Sequence, residues 1–166
     1  MKKYELTTEY KEIGNIKLFR VKALTSFGNV QAGELGGYIE KEDNLSQDGN
    51  AKVRGNARVD GNARVDGDAW VSGNAKVDGD AEVSGNAKVR GNEDYTTIKG
   101  FGRECRSTTF FRQKDGSIGV VCGCFYGTLD EFRKKVRETH GESKYAKEYL
   151  MIADLMEMHF DRSEGE

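Results

Sequence analysis

Gly49-Asn50-Ala51-Lys52-Val53-Arg54, Gly55-Asn56-Ala57-Arg58-Val59-Asp60, Gly61-Asn62-Ala63-Arg64-Val65-Asp66, Gly67-Asp68-Ala69-Trp70-Val71-Ser72, Gly73-Asn74-Ala75-Lys76-Val77-Asp78, Gly79-Asp80-Ala81-Glu82-Val83-Ser84 and Gly85-Asn86-Ala87-Lys88-Val89-Arg90 form an unbroken six-residue repeat. Glycine always stands first, Asn or Asp second, Ala third and Val fifth. Gly91-Asn92 opens an eighth unit that does not continue. The frame extends backwards more loosely, through Asp43-Asn44-Leu45 and Gly37-Tyr38-Ile39.

A helix does not accommodate this period. Six residues at about 100° each make about 600°, so Ala and Val would wander around the cylinder. A strand does: in Ala-x-Val the two apolar side chains share one face and the residue between them takes the other. Gly-Asn and Gly-Asp then supply corners, because both residue types tolerate positive φ. Three-residue strands are too short for an ordinary hairpin sheet. Stacking them as a parallel solenoid would supply the missing hydrogen bonds.

On these residues the chain resembles the hexapeptide-repeat left-handed β-helices, in which six residues make one wall of a triangular prism and eighteen make one coil. The resemblance implies the left hand; the repeat itself does not. The pattern departs from that family in placing Arg, Asp or Ser directly after the aliphatic residue. This variant is similar to the solenoids of phage and prophage proteins. The stretch from Leu18 to Leu24, then Phe27-Gly28-Asn29-Val30, Gly33 to Glu40 and Asn44-Leu45-Ser46, resembles their N-terminal lead-in. Cys122 to Phe132, followed by Glu138-Thr139-His140-Gly141, resembles a C-terminal module that recurs among them.

The fold expected is therefore mainly β. A short parallel left-handed β-helix over 37–92 lies between an N-terminal β cap over 1–36 and a C-terminal ββαα module over 93–166. In the module, strands are expected around Asp115-Gly116, at Ser107 to Gln113 and Ser117 to Cys122. Thr128-x-x-Glu131 is a capping box that starts a helix presenting Leu129, Phe132 and Val136. Gly141 ends it, and a second helix from Ser143 to Phe160 carries Tyr145, Tyr149, Ile152, Met156 and Phe160 on one face. Ser163 to Glu166 read as a frayed polar end.

Composition narrows the function. Among 166 residues, 26 are basic and 28 acidic, a balance that does not favour nucleic acid. There is no proline, no apolar run long enough to span a membrane, and no signal-peptide pattern at the start. A cytoplasmic protein without membrane contact is expected. Three cysteines make no disulfide framework.

Catalysis by hexapeptide-type acyltransfer needs a histidine base. The two histidines, His140 and His159, both lie outside the repeat. His140 reads as a polar residue in a helix's last turn, favourable to the dipole. Cys105, Cys122 and Cys124 read as small buried hydrophobes, and Cys122 and Cys124 would share a strand face. A zinc site using them with a histidine lacks the usual C-x-x-C spacing. Neither a catalytic residue, a metal site nor a cofactor is assigned.

The repeat's outward positions carry an asymmetry. With eighteen residues per coil, the units starting at 49, 67 and 85 share a wall carrying Lys52, Arg54, Asp68, Trp70, Lys88 and Arg90, net +3. The wall of Arg58, Asp60, Lys76 and Asp78 is neutral, and that of Arg64, Asp66, Asp80 and Glu82 is −2. Trp70, the sole tryptophan, sits centrally on the basic wall. An indole among cations is a typical interface anchor, able to stack on a base or a partner side chain. The expected contact is therefore Trp70 with Lys52, Arg54, Lys88 and Arg90. Arg133, Lys134, Lys135 and Arg137 form a second patch on the first C-terminal helix. Glutamates nearby dilute it, so duplex DNA is poorly supported as a partner.

These readings, with the phage resemblance, imply a non-enzymatic accessory protein in the host cytoplasm that inhibits a defence system, anti-CRISPR or similar. It would dock on a host protein or effector complex, or take a small anionic nucleotide, as a homo-oligomeric dimer or trimer. The alternatives are an acyltransferase with an atypical or degenerate site and a structural self-assembling solenoid.

Overall fold

A computed structural model describes residues 1–162; the end from Ser163 to Glu166, read above as frayed, lies outside the described residues. Strands β1 (Tyr4–Ile13) and β2 (Ile16–Ala23) form a long hairpin followed by β3 (Leu35–Ile39). Each repeat unit then supplies a two-residue strand: β4 (Lys52–Val53), β5 (Arg58–Val59), β6 (Arg64–Val65), β7 (Trp70–Val71), β8 (Lys76–Val77), β9 (Glu82–Val83) and β10 (Lys88–Val89). Strands β11 (Tyr95–Ile98), β12 (Thr108–Arg112), β13 (Ile118–Cys122) and β14 (Phe125–Thr128) precede helices α1 (Leu129–His140) and α2 (Lys144–Phe160).

The sheet organisation corrects the expected fold class. Among the described residues the fourteen strands assort into four separate small sheets and not into one capped left-handed β-helix. The largest is mixed: β1, β2 and β3 pair antiparallel, and β5 and β8 continue the same sheet in parallel. A three-stranded sheet runs β10-β7-β4 and a two-stranded one pairs β6 with β9. The N-terminal hairpin thus shares a sheet with two of the repeat strands. The C-terminal hairpin is a full four-stranded antiparallel sheet, β11 to β14. The physical reason is strand length. Two residues give too few rungs to hold a sheet alone, so the longer antiparallel strands at both ends dominate the architecture.

Within those sheets, units eighteen residues apart are paired in register. Lys88 and Lys52 both lie beside Trp70, Lys76 beside Arg58, and Glu82 beside Arg64. Backbone bonds such as Lys52 N to Ala69 O (3.0 Å) and Ser72 N to Val89 O (2.9 Å) carry the pairing. The alternation of Ala-x-Val is visible in burial: every repeat Ala and Val is at most 2% exposed. Each repeat glycine from Gly49 to Gly85 adopts φ between 61° and 68°. Side chains stack at the corners too, with Asn50 Nδ2 donating to Asp68 Oδ1 and Asn62 Nδ2 to Asp80 Oδ1.

The backward extension of the frame is out of step by two residues. Ile39 pairs with Val59 and Leu45 with Val65, each twenty residues on. The two extra residues lie between Leu45 and Val53, whose own partner Val71 is eighteen residues on; a short 3₁₀ turn at Glu42–Asn44 leads into Leu45. Asn44 is fully buried there, donating from Nδ2 to Gly61 O (3.2 Å) and Ala63 O (2.8 Å) and accepting from Lys41 N. At the other end a second 3₁₀ turn, Asn92–Asp94, buries Asp94. Asp94 accepts from Arg90 N at 2.8 Å and ion-pairs with Arg112 and Arg162.

The C-terminal sheet lies between two cores. Phe111 and Val121 face the Ala/Val interior of the repeat, while Phe110 and Val120 face α1 and α2, as period-two alternation dictates. The capping box at Thr128 and Glu131 is formed, and Ser143 caps α2. Tyr145, expected on the buried face of α2, is instead 37% exposed. Among the described residues no helix is long and apolar enough to cross a membrane.

Candidate functional site

Two places gather chemistry-bearing side chains. The first is the outer face of the three-stranded sheet. In-register pairing brings a lysine over the indole of Trp70 from each flanking strand, Lys52 Nζ 4.4 Å and Lys88 Nζ 5.1 Å from the ring centroid. Trp70 is only half-buried, but its Nε1–H is covered and meets no acceptor. A base stacking on this indole would have to displace a lysine of the protein's own. The indole's role there is to hold two ammonium groups at fixed positions.

The remaining members of this face differ in availability. Arg54 is spent in a 2.5 Å ion pair with Glu34, whereas Arg90 is exposed and has no ion-pair partner among the described residues. Lys52 also donates to Asn29 Oδ1. Partial burial, and next Arg54 and Lys114, pull the Lys52 pKa down. Lys114, which sequence reasoning missed, comes from the β12–β13 turn and donates to Asp68 O at 2.8 Å. Its signal lay in the hairpin turn, but nothing local ties that turn to a residue 46 positions earlier.

The second place is the helical side of the C-terminal sheet. The Arg133 patch does not present one basic face. Arg133 pairs with Asp130 within α1 and joins α1 to α2 through Asp154 and Glu157, with its side chain 14% exposed. Lys134 and Arg137 are exposed, and Lys135 lines a cavity of about 430 Å³. His140, Cys122 and Cys124 line the same cavity.

The cysteines correct the sequence reading. Cys105 and Cys124 are exposed and Cys122 half-buried, and a turn at Gly123 separates Cys122 from Cys124 so that they do not share a strand. Among the described residues no three His, Cys, Asp or Glu side chains gather as metal ligands would. His140 packs on Tyr149 (5.9 Å) and Tyr145 (6.2 Å), and His159 on Phe160. These ring contacts all lie within the helical layer.

Compared with protein-family models and with curated proteins, the chain matches none.

Proposed function

We propose that this protein is a non-enzymatic binding protein whose contact surface is the face around Trp70, and that its partner is an acidic surface of a host protein. The carrying observation is the placement of Lys52 and Lys88 over one indole, with Arg90 exposed directly after β10 and Lys114 close enough to Lys52 to lower its pKa. The indole stands on β7, a strand hydrogen-bonded on both edges, and restrains the two lysines of β4 and β10, so ordering them on association costs little entropy. Charge of one sign on a preorganised face favours an acidic partner and speeds encounter. The phage or prophage origin, the host-cytoplasmic setting and an inhibitory role against host defence, anti-CRISPR or similar, rest on the sequence resemblance of the flanks.

The test is capture from lysate of an infected host by wild type and by Trp70→Ala, at low and moderate salt. The reading requires a partner of acidic surface that the variant loses and that salt weakens. Equal capture by both proteins would sink it.

Self-association is a second reading, favoured by one observation. Met151, Leu155 and Met158 are 73%, 50% and 70% exposed along a single face of α2. Light scattering on wild type and Met151→Glu decides it: a concentration-dependent oligomer lost in the variant supports this reading, and a monomer in both excludes it.

A further inference from the structure

We propose that the cavity between α1, α2 and the loop preceding β12 binds a small aromatic molecule carrying a phosphate, of the nucleoside monophosphate class. This site is distinct from the Trp70 face and does not depend on the function proposed for it.

Its size fits. A volume of about 430 Å³ lies within the range of about 300–1,000 Å³ usual for small-molecule sites. Its floor is aromatic. Phe132 stands between Phe125 (5.8 Å) and Tyr149 (5.6 Å, edge to face), and His140 is stacked on Tyr149 at 30°. Phe132 and Tyr149 are buried beneath the cavity, and the half-buried rings of Phe125 and His140 are the ones left to meet a planar guest.

Its rim is cationic. Arg103, Arg106 and Lys135 line the cavity, against Glu104 as the one carboxylate in the lining. None of the three cations has an ion-pair partner among the described residues, although elsewhere in this layer Arg133 engages three carboxylates. Three positive groups against one negative leave an excess of two, which matches a phosphate dianion. The guanidinium fork suits its oxygens.

The site is also built in advance. Gly102, at φ +76°, lies so close to Tyr149 that a Cβ would meet the Tyr149 hydroxyl at 2.2 Å. Its N–H donates to Glu148 Oε2 at 3.0 Å, and the Tyr149 hydroxyl donates to Phe101 O at 3.2 Å. Cys105, in the same loop, is the one non-glycine residue with positive φ among those described. Arg106 is laid across Gly123, where any side chain would collide with its Nη1.

The experiment is an NMR titration of the full chain with adenosine 5′-monophosphate, with adenosine and inorganic phosphate as separate arms. Saturable shifts are expected at Val136, Thr139 and Tyr149, with each fragment alone at least tenfold weaker. The double variant Arg106→Ala, Lys135→Ala should lose at least tenfold in affinity, while Trp70→Ala binds as wild type does. Raising salt should weaken binding by the wild type, a readout independent of any variant's folding. Three results would each overturn the proposal: no saturable shifts with the adenine, guanine, cytosine or uracil monophosphate up to about 5 mM, adenosine binding as well as its phosphate, or full affinity in the double variant.

Discussion

Lys52 lies over the ring of Trp70, eighteen positions later in the chain, with its ammonium 4.4 Å from the indole centroid. Local sequence would never bring the two together; the parallel pairing of β4 with β7 does. A partly exposed cation–π contact is worth about 0.5–1 kcal/mol. A double-mutant cycle of Lys52→Met and Trp70→Leu, followed by urea unfolding, should therefore return a coupling of about that size. A coupling of zero would mean that the contact contributes nothing.

Asp94 should be the costliest charged residue to remove. It is 1% exposed, accepts from Arg90 N at 2.8 Å, and pairs with Arg112 at 3.2 Å and Arg162 at 2.6 Å. Asp94→Ala leaves the part-buried Arg90 amide unpartnered and Arg112, mostly buried, without its counter-charge. Breaking a buried pair in this way costs about 3–5 kcal/mol. Thermal unfolding of the variant checks it, and a loss below about 1 kcal/mol would contradict the burial of this network.

The corner glycines separate two kinds of cost. Gly73 and Gly79 have nearly the same φ, +63° and +65°. A Cβ on Gly79 meets nothing within 4 Å, whereas one on Gly73 would stand 2.4 Å from Arg90 O. Gly79→Ala should thus cost only the left-handed penalty, about 1–2 kcal/mol. Gly73→Ala should cost at least about 1 kcal/mol more, from the backbone collision. Equal losses in denaturant titrations would show that the turns are not stacked as described.

Lys3 makes stability depend on alkaline pH. Its ammonium donates to Ala51 O at 2.9 Å and sits 4.6 Å from the centre of Phe27. Burial lowers its pKa from 10.5 to about 8, against the pull of Asp48. Between about pH 8 and 10 the unfolded chain therefore binds more protons than the folded one, and stability rises with pH. Above about pH 10 the sign reverses. Burial raises the hydroxyl pKa values of Tyr4, Tyr95 and Tyr149, so there the folded chain holds protons that the unfolded chain loses. Denaturation midpoints should peak between these limits, and Lys3→Met should abolish the rise. A midpoint falling steadily from about pH 8 in both proteins would refute this.

What the sequence discloses depends on how local the cause is. Thr128 with Glu131, Ser143 and Gly141 mark helix ends through contacts a few residues apart, and the helices begin and end there. Asp115-Gly116 likewise marks the β12–β13 turn. The period of six exposes the burial of Ala and Val and the eighteen-residue pairing of Trp70 with its lysines. Division into four sheets was hidden, because it depends on the antiparallel strands at each end recruiting or leaving the short repeat strands. The two-residue slip between Leu45 and Val53 was hidden as well: Asn44 looks like a repeat Asn but is buried in a 3₁₀ turn. The aromatic cavity was out of reach for a related reason. It joins Arg103 and Arg106 from a loop, Lys135 from α1 and Tyr149 from α2, none linked by a common period.

Nuclear Overhauser contacts from the Trp70 indole protons test the placement of this residue most directly. Cross-peaks to the side-chain methylenes of both Lys52 and Lys88 are the predicted result. Cross-peaks to Arg64 and Lys76, the corresponding residues of the adjacent units, would contradict the pairing and disperse the basic face assigned to binding.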